Sequence, residues 1–285
     1  MKTVEIAYRY GREAGLRRPR PADADAARSR LDDGNRAFSE LLDGIVCGRG
    51  VARRTVEVDP GDLGFAAGGR AAPEQQPYAA ILGCADARVP VELVFNEGPN
   101  DLFVVRVAGN VLGAEVLGSL GYAIEHLGGS LKVVAVLGHS GCGAVSAAVD
   151  VFLAPSKYLD LAANHALRGV LDRILVVVQA TAMRLAEFLG PGVVERPGYR
   201  EALVEGAVAA NAALSAFTLR HEIARARKRS IRALYGVYLL DEHRVWAPRA
   251  GGREWGLADP PADRGAFHAL GGAIMRSPRI KALLQ

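Results

Sequence analysis

Residues 131–153, LKVVAVLGHSGCGAVSAAVDVFL, decide the fold. The run LKVVAVL at 131–137 is short, apolar and rich in β-branched residues, the form of a strand buried on both faces. Residues 138–143 then crowd three glycines together with His139, Ser140 and Cys142 into one turn. The small-residue stretch AVSAAVDVFL that follows is compatible with a helix. A strand, a polar turn and a helix make the repeating unit of a parallel sheet with right-handed crossovers.

The same rhythm extends on either side. Residues 78–83 (YAAILG) form a second apolar run that ends on Cys84, and 102–107 (LFVVRV) form a third. Residues 112–127 have the 3–4 spacing of a helix and stop at Gly128 and Gly129, with a shorter helical piece at 91–97. Further out, 26–46 have helical spacing, 156–226 read as helical, and 233–240 with 244–246 read as late strands. Residues 1–25 read as an irregular arm and 48–77, rich in glycine, proline and charge, as loop. The expected fold class is α/β: a mostly parallel central sheet with flanking helices and an N-terminal helical arm. One domain over 1–285 is expected, with arm and helix at 1–46, a core at 78–150, a helical region at 156–226 and late strands at 231–248.

Half of the 285 residues are apolar, ample for a buried core. No uninterrupted apolar run of about 18 residues is present, so no membrane span is expected. The N-terminus lacks the apolar segment of a secretory signal, and a cytoplasmic protein is the expectation. Three cysteines, Cys47, Cys84 and Cys142, are too few for a disulfide framework. The net charge of +4 is concentrated in the first twenty residues, which hold six basic side chains against two acidic ones. A second basic run lies at 225–232. Neither run is interleaved with aromatic residues, so solvated faces are expected and no nucleic-acid partner.

Chemistry concentrates in two places. Cys84-Ala-Asp86-Ala-Arg88 begins where one strand ends, and His139-Ser-Gly-Cys142 where another ends. Ligands gather at the carboxyl ends of strands in open α/β sheets, so the five polar side chains meet if the two strands are neighbours. Two thiolates and an imidazole suit Zn²⁺, and three protein ligands leave a fourth position open, as in catalytic sites. Zinc then lowers the pKa of a bound water to about 7 and supplies hydroxide. Arg88 can grip Asp86 in a bidentate pair, leaving the carboxylate to orient that water. Released, Asp86 can fill the fourth zinc position itself. Taken singly, each residue has a blander reading: Cys84 a packing thiol, His139 a turn residue, Asp86 with Arg88 an ordinary ion pair. The glycines at 138, 141 and 143 hint at a phosphate cradle, but not in the G-x-G-x-x-G order.

The joint pattern resolves these readings by resemblance. The stretches CADARVPVELVFNEGPNDLFVVRVAGNV and VLGHSGCGAV closely resemble the two signatures of the β-class carbonic anhydrases, most strongly over residues 75–150. The resemblance implies zinc on Cys84, His139 and Cys142, a catalytic pair of Asp86 and Arg88, and reversible hydration of carbon dioxide to bicarbonate. It also implies substrate contacts from Gln75, Phe103, Gly143 and Tyr238. A homodimer or an assembly of dimers is implied as well, with Gln75 and Phe103 reaching the partner's zinc. Ile81 stands where members with an inhibitory bicarbonate pocket carry tryptophan, which favours the open, water-bound subtype. Two other readings remain: hydrolysis of carbon disulfide or carbonyl sulfide on the same site, and a catalytically silent zinc-binding relative. Physical reasoning adds to the case for a dimer, because strand 102–107, helix 112–127 and the apolar stripe of 203–217 offer more apolar surface than one sheet face covers.

Overall fold

The computed structural model describes residues 3–11, 19–46, 51–66, 69–70, 72–162, 165–248 and 254–285. In chain order the elements are β1 (Thr3–Tyr10), α1 (Ala24–Val46), β2 (Val51–Val58), β3 (Phe65–Ala66), β4 (Gly69–Arg70), β5 (Ala79–Gly83), α2 (Val91–Val94) and β6 (Leu102–Arg106). Then come α3 (Ala114–His126), β7 (Val133–His139), α4 (Gly143–Leu153), α5 (Lys157–Ala162), α6 (His165–Leu189) and α7 (Tyr199–Arg225). The chain continues through β8 (Arg232–Leu239), β9 (Arg244–Trp246), α8 (Arg264–Arg276) and α9 (Pro278–Leu283).

The central sheet has five strands in the order β6-β5-β7-β8-β9. The first four are parallel, and β9 adds antiparallel to β8. Strands β5 and β7, the two apolar runs that carry the polar motifs, are direct neighbours, with Gly83 level with Leu137. Both are buried along their whole length. Alternation splits their side chains between two cores. Ala80, Leu82, Val134 and Val136 join the face covered by α3, α4, α6 and α7. Ala79, Ile81, Val133, Ala135 and Leu137 join the face covered by α1. Each fully buried Val, Leu or Ile among these contributes about 1.5–3 kcal/mol.

Helix α7 is long and apolar enough to cross a membrane by length and composition, but 78% of its apolar window is buried inside the fold. It is the helix laid along β7 and β8. This corrects one expectation: Leu203 and Ala207, counted as surplus apolar surface, are wholly buried within the chain, and only Leu214 of that stripe stays markedly exposed. Of the surface expected to be spare, the edge strand β6 keeps Leu102, Phe103, Val104 and Val105 half-buried and α3 keeps Tyr122 exposed; Val176 and Met183 on α6 are exposed as well.

The N-terminal region differs from its expectation as well. Residues 3–10 and 51–58 are not irregular; they form a two-stranded parallel sheet with Thr3 level with Val51 and Tyr10 level with Val58. Both segments alternate apolar and polar residues, the period of a strand, and each completes its backbone hydrogen bonds on the other. Glu5 takes Arg53 at 2.6 Å and Glu57 takes Arg9 at 3.3 Å across the pair. The region 156–226 divides into α5, α6, a 3-10 turn at Pro191–Glu195 and α7, with Pro191 and Gly190 marking the break. Cys47 lies outside the described residues.

Candidate metal centre

Cys84 follows β5 directly, His139 closes β7, and Cys142 caps the N-terminus of α4. Their ligating atoms all lie within 4.8 Å of one another, and all three residues are buried. The two sulfurs are 3.9 Å apart. Two Zn–S bonds of ~2.3 Å at a tetrahedral angle separate their sulfurs by about 3.8 Å, so the pair fits one ion.

His139 supplies the decisive detail. Its Nδ1–H donates to the carbonyl of Ser140 at 3.0 Å, which leaves the lone pair on Nε2. That Nε2 is buried and makes no hydrogen bond among the described residues. A buried acceptor without a donor costs about 1–3 kcal/mol unless something else takes its lone pair. A cation between Nε2 and the two sulfurs would do so.

The sulfurs tell the same story electrostatically. The thiol of Cys142, donating to Cys84, pushes the Cys84 pKa down to about 4 against its own burial; the N–H groups of Asp86 and Gly109 assist. The hydrogen bond to Cys84, burial and the charge on Cys84 in turn push Cys142 up, although the N–H groups of Val145 and Ala144 at the start of α4 favour its thiolate. A divalent ion between them would let both sulfurs ionise. Gly109 belongs to this arrangement. Its φ is +64°, in the left-handed region that favours glycine, and its amide faces the Cys84 sulfur.

Asp86 stands beside the triad, its Oδ2 3.8 Å from His139 Nε2. Arg88 holds it from outside: Nε donates to Oδ1 at 2.9 Å, Nη2 to Oδ2 at 2.7 Å, and the backbone N–H to Oδ1 at 2.9 Å. Those Arg88 hydrogen bonds keep the Asp86 carboxyl far below the usual carboxylate range. The guanidinium itself is exposed.

Of the further sequence candidates, Gly143 begins α4 next to Cys142. Tyr238 is level with His139 across β7 and β8, buried, its hydroxyl pushed up to about 12 by desolvation. Within this chain Gln75 and Phe103 are not brought to the triad. Phe103 is level with Ala80, four residues or roughly 13 Å of strand short of Cys84. Gln75 lines a cavity of about 640 Å³ at the amino end of the sheet, with Arg20, Gln76, Tyr122, His126 and Lys132.

Three supporting residues escaped the sequence reading. Arg106 Nε donates to the Cys84 carbonyl at 2.9 Å, Ser140 Oγ accepts from the Leu240 N–H at 2.9 Å, and Glu205 Oε1 accepts from the Gly141 N–H at 2.7 Å. The available signal was Glu205 itself, an acid set in the apolar run LVEGAVAANAAL of α7.

The sequence model described as carbonic anhydrase matches residues 79–234, which include the triad, Asp86 and Arg88. The chain belongs to the β-carbonic anhydrase family. Among its relatives, carbonic anhydrase 2 of Mycobacterium tuberculosis is 51% identical over 75 residues, 26% of this chain and 35% of that protein. The carbonic anhydrase of Mycolicibacterium smegmatis is 39% identical over 117 residues, 40% of this chain and 54% of that protein. The matched stretches thus span between about a third and about half of those carbonic anhydrases. Among solved structures, the β-carbonic anhydrase CcaA is similar with a TM-score of 0.48 and 25% identity, over 61% of this chain and 80% of that one.

Proposed function

We propose that this chain catalyses the reversible hydration of carbon dioxide to bicarbonate and a proton, with zinc held by Cys84, His139 and Cys142. The observation that carries the reading is the unshared lone pair of His139 Nε2, buried beside two sulfurs 3.9 Å apart. Zinc, when bound, supplies the Lewis acidity that makes hydroxide available near neutral pH.

The chain's own groups supply the rest. Asp86 is held ionised and oriented by Arg88, so it can accept a hydrogen bond from the attacking water and fix the direction of attack. Because Arg88 grips from the solvent side, losing it would free Asp86 to swing to the fourth metal position. That the carboxylate is held by Arg88, with Ile81 where the inhibitory subtype carries tryptophan, supports the open subtype. Gly143 and Tyr238 flank the triad as substrate contacts. Gln75 and Phe103 complete the pocket from a second copy, paired across the half-buried edge strand β6 in an isologous dimer.

Metal analysis together with proton release from dissolved carbon dioxide tests the reading. About one zinc per chain and proton release above the buffer rate are expected. A zinc-loaded protein that releases no protons from carbon dioxide would overturn it, and carbon disulfide and carbonyl sulfide are then the substrates to try.

A further inference from the structure

The turn between the two ligands of the His139-Ser-Gly-Cys142 motif is pinned from two sides. On one side β8 holds Ser140: its N–H donates to the Tyr238 carbonyl at 3.0 Å, and its Oγ accepts from the Leu240 N–H at 2.9 Å. On the other side stands a carboxylate. Glu205, 8% exposed in the middle of α7, accepts the Gly141 N–H on Oε1 at 2.7 Å. Gly141 is the left-handed residue of the turn, with φ +61°.

A buried carboxylate is a costly way to satisfy one amide, unless its charge is matched. Here the match comes from the C-terminal tail. Arg279 on α9 donates from Nε to Glu205 Oε2 at 2.9 Å, and its outer nitrogens reach Asp241 at 3.3 Å and Glu242 at 3.6 Å, just after β8. The tail that carries it is docked firmly. Ile280 is wholly buried, Leu284 nearly so, and a Cβ on Gly198, at the start of α7, would strike the Leu283 carbonyl. Thus the tail, the middle of α7 and the end of β8 converge on one amide between two metal ligands.

We infer that Glu205, oriented by Arg279, is a positioning residue for the metal centre: it locks the His139–Cys142 turn in its ligating geometry. This inference rests on the reading of Cys84, His139 and Cys142 as metal ligands. Glu205 touches neither metal nor substrate; it acts through the Gly141 amide. Outer groups that orient ligands typically hold roughly 10–100-fold of metal affinity.

The test titrates the metal-free protein with Co²⁺ and measures Zn²⁺ affinity by chelator competition. The proteins compared are the wild type, Glu205→Gln, Glu205→Ala and Arg279→Leu, each with the thermal midpoint of its metal-free form. Glu205→Gln keeps an acceptor oxygen for Gly141 and should stay within a few-fold of wild type. Glu205→Ala should lose roughly 10–100-fold in Zn²⁺ affinity and weaken the thiolate-to-cobalt absorption. Arg279→Leu, which leaves Glu205 unoriented, should fall between them. A merely structural ion pair would lower the midpoint of the metal-free protein and leave affinity and spectrum unchanged. That result, or Gln behaving as badly as Ala, overturns the inference. Should Glu205→Ala fail to fold, Arg279→Leu decides, and wild-type affinity there would overturn it. If wild type gives no thiolate-to-cobalt absorption, the metal reading itself is what has failed.

Discussion

The two ends of β5 both bury ionisable groups, and they treat them in opposite ways. At the amino end, Tyr78 donates its hydroxyl to Glu97 Oε1 at 2.8 Å, and Arg30 takes Glu97 through Nε at 3.0 Å and Asp101 at 2.9 Å. Arg30 also stacks over the Tyr78 ring at 4.5 Å. Glu97 has no exposed surface, yet its charge is paired and hydrogen-bonded. At the carboxyl end, Cys84, His139 and Cys142 are equally buried, but the imidazole Nε2 has no hydrogen bond among the described residues, and two sulfurs face each other at 3.9 Å. Burial alone therefore does not mark a site. A buried polar cluster that is complete in itself is architecture; one that lacks a counter-charge is a place for a ligand.

Substitutions at the two ends should separate these roles, and the largest effects are expected at the incomplete end. Cys142→Ala or His139→Ala should abolish both zinc retention and carbon dioxide hydration, because two ligands do not hold a catalytic ion. Full zinc occupancy in Cys142→Ala, read by elemental analysis, would break the comparison at its base.

Next, Asp86→Asn should keep the zinc and slow hydration by roughly 10²–10⁴-fold, the usual worth of a positioned proton acceptor. Near-wild-type turnover would show that the carboxylate is only a surface ion pair. The Arg88 hydrogen bonds lower the Asp86 pKa, so Asp86 favours the folded state above its unfolded pKa of about 3.9, and that contribution is lost as pH falls from there through the lower folded value. In Arg88→Ala the carboxyl should titrate nearer its ordinary range, visible by NMR of the Asp86 side chain in metal-free protein.

At the complete end the expected effects are on stability. Arg30→Met strands Glu97 as a buried, unmatched charge and should cost about 3–5 kcal/mol in denaturant unfolding. Tyr78→Phe removes one donor from a carboxylate that keeps Arg30, and should cost about 1.5–3 kcal/mol, less than losing Arg30. Zinc affinity should be unchanged in both. A loss of zinc in Tyr78→Phe would mean that the two ends of β5 are coupled.

The ligand-bearing part of the fold was legible because it is local. An apolar run of six or seven residues ending on a glycine and a polar turn specifies a buried strand and the place where its chemistry surfaces, and 78–83 and 131–137 both do so. Cys142 at a helix start followed from the small residues behind it. The N-terminal strands were missed although TVEIAYRY alternates apolar and polar residues with the period of a strand; what no local pattern records is that its partner VARRTVEV lies forty-eight residues along in register. Likewise the stripe of α7 looked like spare surface until the sheet and α6 were seen to cover it.

The sequence by itself determined the donor set, two sulfurs and an imidazole with a carboxylate and a guanidinium two residues apart, because ligand chemistry belongs to residue types and their short-range spacing. Only the tertiary structure decided that β5 and β7 are adjacent, that His139 presents an unshared lone pair, and that Arg88 holds Asp86. It also placed Arg106, Glu205 and Arg279 behind the loops, and left Gln75 and Phe103 away from the triad of their own chain. The physical reason is that orientation and pairing depend on groups from distant segments meeting in a low-dielectric interior. No local pattern records which carbonyl an imidazole will face or which charge a buried carboxylate will find.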